Sequence, residues 1–149
     1  NYCIVQLRQP HGPRPHWHDP RPAQPDERDD LLATINYIFR TSQGRPASIA
    51  ADYPHVYDPA NLENVTVVTS DGKIVSSAGV WPCDIRVGKA CLRVGGVNAV
   101  GTLPAFRKKG LGAKIMAAAH RQMRDLGCHV GLLSTGIYNW YRGMGNGRY

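Results

Sequence analysis

Cysteine is scarce and unpatterned in this 149-residue chain. Its four residues, Cys3, Cys83, Cys91 and Cys128, have no CxxC spacing and no paired Cys/His cluster, which excludes zinc ribbons and dithiol redox motifs. A disulfide between Cys83 and Cys91 is geometrically allowed if the two face each other across a hairpin; otherwise the thiols serve as small apolar residues in a reducing compartment. Long apolar runs are missing too. None approaches the roughly 20 residues that span a bilayer, and no N-terminal segment reads as a secretion signal, so no membrane partner and a cytoplasmic location are expected. His11, His16 and His18 lie among closely spaced prolines, where a fixed ligand geometry is not expected, so no metal site is predicted. What is not lacking is apolar content: at 42% hydrophobic the chain is too rich in it to be disordered, and its length fits a single core.

Acid is the other shortage. There are 11 Asp and Glu against 18 Lys and Arg, a formal net charge of +7. Between residues 84 and 124, nine basic residues face the single acid Asp84, a net of +8 that leaves −1 for the remainder. A duplex-binding surface usually draws basic residues from several elements or along one helix. One concentrated segment better suits a polyanionic small molecule, and no specific nucleic-acid partner is expected, although charge alone leaves both readings open.

Residues 2–7 read as a short strand, and residues 11–25 as a Pro/His-rich loop with regular structure only near Arg21. Acids at Asp26, Glu27, Asp29 and Asp30, followed by apolar residues at helical spacing (Leu31, Leu32, Ile35, Ile38, Phe39), predict a helix over 28–41. Residues 47–62 read as one short helix and a loop. A β-branched run over 64–69, the turn Ser70-Asp71-Gly72-Lys73 and a partner strand over 74–80 predict a hairpin. A second turn at Val87-Gly88-Lys89 separates residues 83–86 from 90–93, and a longer strand follows over 92–102. A helix is expected over 110–126 with Gly127 past its end, then a strand over 129–134 and a last helix over 137–144. The connection from residue 102 to 129 implies a parallel pair. The fold class is α+β, with a mixed, mostly antiparallel sheet and flanking helices.

The most informative segment is Arg107-Lys108-Lys109-Gly110-Leu111-Gly112-Ala113, between a strand and a helix. Unpaired N–H groups and the dipole at a helix N-terminus bind phosphate, and glycines let the backbone come close to an anion. No Lys-Ser/Thr follows Gly112, which excludes a Walker loop, and the third glycine of a dinucleotide fingerprint is missing. The spacing Arg107-x-x-Gly110-x-Gly112, the preceding Val100-Gly101-Thr102-Leu103-Pro104-Ala105-Phe106, and Trp140-Tyr141-Arg142-Gly143-Met144-Gly145 together resemble the GNAT acetyltransferase superfamily. The stretch Gly95-Gly96-Val97-Asn98-Ala99-Val100-Gly101-Thr102 with Leu132-Leu133-Ser134-Thr135-Gly136 resembles its enhanced-intracellular-survival branch.

That resemblance implies an N-acetyltransferase that moves an acetyl group from acetyl-CoA to a small-molecule or peptide amine by direct attack. Acetyl-CoA would lie where two parallel strands splay apart. Val100, Gly101 and Thr102 would hold its pantetheine through their backbone; Arg107, Lys108, Lys109, Gly110, Leu111, Gly112 and Ala113 would cradle the pyrophosphate. Ser134 and Thr135 would line the opposite wall, and Tyr141 would protonate the departing thiolate. Tyr141 also reads as a core aromatic with a satisfied hydroxyl, and Lys108 and Lys109 as a solvated turn. Many relatives place a glutamate on the strand that here runs over 93–102 without any acid; in the suspected branch a distant C-terminal carboxylate serves. His55, Glu63 and Asp84 are substitutes, or the amine arrives neutral, or the domain binds acyl-CoA without turnover. The chain begins at Asn1 and ends just past a glycine-rich stretch. It therefore reads as a strand and loop over 1–25 and an acetyltransferase domain over 26–149 that is incomplete at its C-terminus. Further C-terminal domains or a homo-oligomer are the expected protein partners.

Overall fold

The computed structural model describes residues 16–144; the strand expected over 2–7, His11, Cys3 and Gly145 lie outside them. Nine elements follow in order: β1 (Arg21–Pro22), α1 (Arg28–Phe39), α2 (Ile49–Asp52), β2 (Val65–Ser70), β3 (Lys73–Val87), β4 (Ala90–Thr102), α3 (Leu111–Asp125), β5 (Val130–Leu132) and α4 (Tyr138–Arg142). Short 3-10 turns at Pro25–Glu27, Thr41–Gln43, Pro59–Asn64 and Pro104–Phe106 link them. The sheet order is β1-β2-β3-β4-β5, antiparallel except for the parallel β4–β5 pair. This is the expected α+β architecture.

Helices cover both faces. On one, Leu31 and Ile35 of α1 pack with Tyr57, Leu62, Val65, Val67 and Ile74; on the other, Leu111, Ile115, Ala119 and Met123 of α3 pack on Val68, Val75, Ala78 and Val80. Two polar side chains of α1 fix it to the sheet: the Asp30 carboxylate accepts from the Ile74 N–H at 2.9 Å and the Thr34 hydroxyl donates to the Ile74 carbonyl at 3.1 Å. Asp29 and Asp30 in the first turn suit the helix dipole. α1 stops at Phe39, two residues before the sequence pattern suggests, because the chain tightens into the 3-10 turn that ends at left-handed Gly44.

Three expectations change. The two segments expected over 74–80 and 83–86 form one strand, β3, that runs through Pro82. β2 pairs with β3 only as far as Gly79, so Pro82 lies on an open edge where its missing N–H is tolerated. The second change concerns sulfur: Cys83 lies opposite Val94 and Cys91 opposite Arg86. The two cysteines are out of register and, with Cys128, remain free thiols. Third, β5 and α4 are shorter than expected, three and five residues.

The feature that makes the site is an irregularity in β4. Ser77 lies opposite Gly101 and Gly79 opposite Asn98, so Ala78 faces both Ala99 and Val100. Ala99 adopts φ 47°, a left-handed conformation that costs a residue with a Cβ about 1–2 kcal/mol. Its methyl packs against the α1-side core, which offsets part of that strain. β5 pairs with β4 only at Val94, Gly95 and Gly96. Beyond Gly96 the two strands part, and the bulge sits where they do.

Candidate active site

β4 ends at Thr102 and the chain is tied down at once. The buried Ser76 hydroxyl donates to the Gly101 carbonyl at 3.0 Å and lies 2.9 Å from Thr102 Oγ1, while the Leu103 N–H donates to Val75 at 2.8 Å. After the 3-10 turn, Arg107 reaches back and its Nε donates to the Thr102 carbonyl at 2.9 Å. Lys108 and Gly110 both take left-handed conformations, φ 59° and 83°. They turn the chain so that α3 starts facing the end of β4.

The first helical bond of α3 runs from the Lys114 N–H to the Gly110 carbonyl, 3.2 Å. The N–H groups of Leu111, Gly112 and Ala113 precede it and carry no helical partner, and no side chain caps the helix at Gly110. Open space surrounds the position of a Cβ on Gly110. These donors, the positive end of the helix dipole and the side chains of Arg107 and Lys108 lie together at the start of α3.

One cleft of about 390 Å³ joins these parts. It is lined by Val100, Gly101, Thr102, Arg107, Lys108, Gly110, Leu111, Gly112 and Ala113, and by Tyr141 from α4. Tyr141 is buried, and its ring meets that of Trp140 edge-on at 4.7 Å. Burial pushes its phenol above the ordinary value, so it holds its proton at neutral pH. Further apolar residues complete the walls: Ile38 and Phe39 from α1 and Ile137, which belong to no motif, with Phe106 and Trp140. The α1 residues were legible only as core positions, since nothing in their spacing tells which end of the helix meets the bulge.

Three predicted residues are placed elsewhere. Lys109 is not in the cleft wall; its Nζ donates to the Ala105 carbonyl at 3.3 Å. Ser134 is exposed, and Thr135 Oγ1 accepts from the Ile137 N–H at 3.0 Å, fixing the turn into α4 rather than lining the cleft. Nor do the three candidate bases reach the cleft wall. His55 packs against Trp81 with ring centroids 4.3 Å apart and the planes tilted by 60°. Asp84 pairs with Arg93 at 2.9 Å, and that guanidinium holds its carboxyl below the usual range. Glu63 lines a second groove of about 510 Å³ between the β1–β2 edge and α3, which shares no residue with the first. Among the described residues no group of His, Cys, Asp and Glu would hold a metal, and no helix is long and apolar enough to cross a membrane.

The same fold recurs in solved structures. Glucosamine-6-phosphate N-acetyltransferase from Arabidopsis thaliana superposes with a TM-score of 0.66 at 15% identity, over 90% of this chain and 93% of that one. AAC(6')-Iy in complex with a bisubstrate CoA analogue gives 0.66 at 17%, over 89% and 92%. A GCN5-related N-acetyltransferase from Kribbella flavida gives 0.66 at 20%, over 86% of this chain but 32% of its own length. At such identities the likeness is one of fold. No curated protein matches the sequence. The sequence itself, over residues 19–148, matches the family described as the acetyltransferase (GNAT) domain, and with nearly the whole described chain inside that match, the protein belongs to the GNAT acetyltransferases.

Proposed function

We propose that the protein is an N-acetyltransferase that uses acetyl-CoA and acetylates a primary amine by direct attack. The observation that carries this reading is the meeting, in one cleft, of the unpaired N–H groups of α3, the bulged end of β4 and the buried phenol of Tyr141. The donor set fits a coenzyme A diphosphate: three consecutive backbone N–H groups, two cationic side chains and an open approach over Gly110. Residues 100–102 would hold the pantetheine arm by backbone hydrogen bonds and align the thioester. As the amine nitrogen bonds to the carbonyl carbon and the C–S bond breaks, Tyr141 would give its proton to the sulfur. The amine's own proton would go to solvent, since among the described residues no carboxylate or imidazole lines the cleft.

That missing base favours a second reading, a domain that binds acyl-CoA without efficient turnover. Two measurements separate them. Calorimetric titration with CoA should give binding at or below the millimolar range, and its absence would remove both readings. Thiol release from acetyl-CoA across a panel of amines then distinguishes enzyme from binder. Small amine acceptors lead the panel, because the fold is shared with glucosamine-phosphate and aminoglycoside acetyltransferases. We place the chain in the enhanced-intracellular-survival branch on residues 95–102 and 132–136, and in a reducing compartment on its three free thiols among the described residues.

A further inference from the structure

Tyr57 stands outside every motif, yet it is among the most deeply buried side chains of the molecule, 1% exposed. Its backbone is clamped from two directions. The Arg28 Nε donates to its carbonyl at 2.8 Å, and the Asn61 side chain ties the preceding Val56 carbonyl, at 2.8 Å, to that of Val80 on β3, at 3.0 Å. From there the phenol crosses β3 and donates to Asn98 Oδ1 on β4 at 3.0 Å. Gly79 lies between, opposite Asn98 in register. A Cβ on Gly79 would stand 2.9 Å from Val56 Cγ1 and 3.5 Å from the Tyr57 hydroxyl, so the crossing depends on a residue without a side chain.

Asn98 immediately precedes Ala99, the left-handed residue of the bulge, and the cleft wall begins at Val100. A strained residue persists only where its surroundings hold it. We propose that Tyr57 is a positioning residue for acyl transfer: through its hydrogen bond to Asn98 it holds the β4 bulge, and with it the backbone of residues 100–102, in the alignment that the thioester requires. Burial raises the phenol far above its ordinary value, so the group remains a donor across the working pH range. The proposal rests on the acetyltransferase reading of the cleft, but the bond and the bulge are testable apart from it.

The test is Tyr57→Phe in the full chain, which keeps the ring and removes only the hydroxyl. Thiol release with the best amine of the panel should show kcat lower by roughly tenfold, as small misalignments near a reacting centre do. The Kd for CoA, dominated by the α3 end, should stay within about twofold. In amide NMR spectra the signals of residues 98–102 should shift while those of residues 111–113 stay in place. Asn98→Leu should reproduce the loss, and the double variant should be no worse than either single one, because both remove one interaction. Unchanged kcat, unmoved signals at residues 98–102, or additive losses would each overturn the proposal. So would a lower melting temperature with normal kcat per folded molecule, which would make Tyr57 a packing residue only. Should Tyr57→Phe fail to fold, Asn98→Leu and Gly79→Ala approach the same bond from β4 and β3. If the unaltered chain binds CoA but releases no thiol with any amine, the enzyme reading fails, and the NMR shifts still decide whether Tyr57 holds the bulge.

Discussion

The indole of Trp140 lies directly over Gly112: a Cβ on that glycine would stand 2.8 Å from Trp140 Cζ2. The missing side chain at Gly112 is therefore filled by α4, whereas the space over Gly110 stays open. The two glycines of one short motif thus differ: one is covered by an indole and the other opens on free space. Gly112→Ala should push Trp140 aside and, through the edge-on ring contact, disturb Tyr141. Expected are a loss of about 1–3 kcal/mol in stability, the usual range for overpacking, and weaker CoA binding by calorimetry. Adding Trp140→Ala should restore the melting temperature. If it does not, the clash is not the cause.

Tyr141→Phe should lower kcat by roughly 10²-fold, the lower end for loss of a general acid, with CoA affinity nearly unchanged. The pH profile supplies the sign. Burial raises the phenol above its ordinary value, so the proton-bearing form that the proposed transfer requires persists through neutral pH, and kcat should fall only on the alkaline side. The same shift links to stability: with the folded value above the unfolded one, the contribution is complete below the unfolded value and lost as pH rises through the folded one. An alkaline limb that survives unchanged in Tyr141→Phe would assign it to another group.

Much of this site was legible because it is local. Arg107, Gly110 and Gly112 fall within six residues, and the turn, the unpaired N–H groups and the positive φ at Gly110 follow from that short stretch. The hairpin at Asp71-Gly72 and the C-terminal stop of α3 at Gly127 were legible for the same reason. Tyr57 and Asn98 were not, being 41 residues apart and joined only by the crossing of β3. The bulge escaped as well, since alanine gives no hint of a left-handed conformation. Register has the same character: Cys83 and Cys91 flank the turn plausibly, and only the pairing of Val87 with Ala90 puts them out of step.

Two adjacent lysines should differ. Lys108 lines the cleft, while Lys109 folds back onto the Ala105 carbonyl. Lys108→Ala should raise the Kd for CoA about fivefold at low salt, equivalent to ~1 kcal/mol for a solvated charge pair, and the difference should shrink as salt screens it. Lys109→Ala should stay within about twofold. Equal effects would mean that general surface charge, rather than the cradle, attracts the ligand.

The fork between β4 and β5 depends on a slot for one sulfur. Gly95 and Gly131 are register partners, and both face Met123 of α3. A Cβ on Gly95 would lie 2.5 Å from Met123 Sδ and 2.7 Å from Cγ; one on Gly131 would lie 2.9 Å from Sδ and 3.1 Å from Cε. Contact with the inner Cγ is harder to relieve than contact with the flexible end. Gly95→Ala should therefore destabilise more than Gly131→Ala, about 2–3 against about 1 kcal/mol in denaturant melts. In a Met123→Ala background both alanines should cost much less. Since β5 pairs only through Val94, Gly95 and Gly96, Gly95→Ala should also speed amide exchange at Val130 and Leu132 before that of the β2–β3 hairpin. The reverse order of exchange would place the weak point of the fold away from the fork.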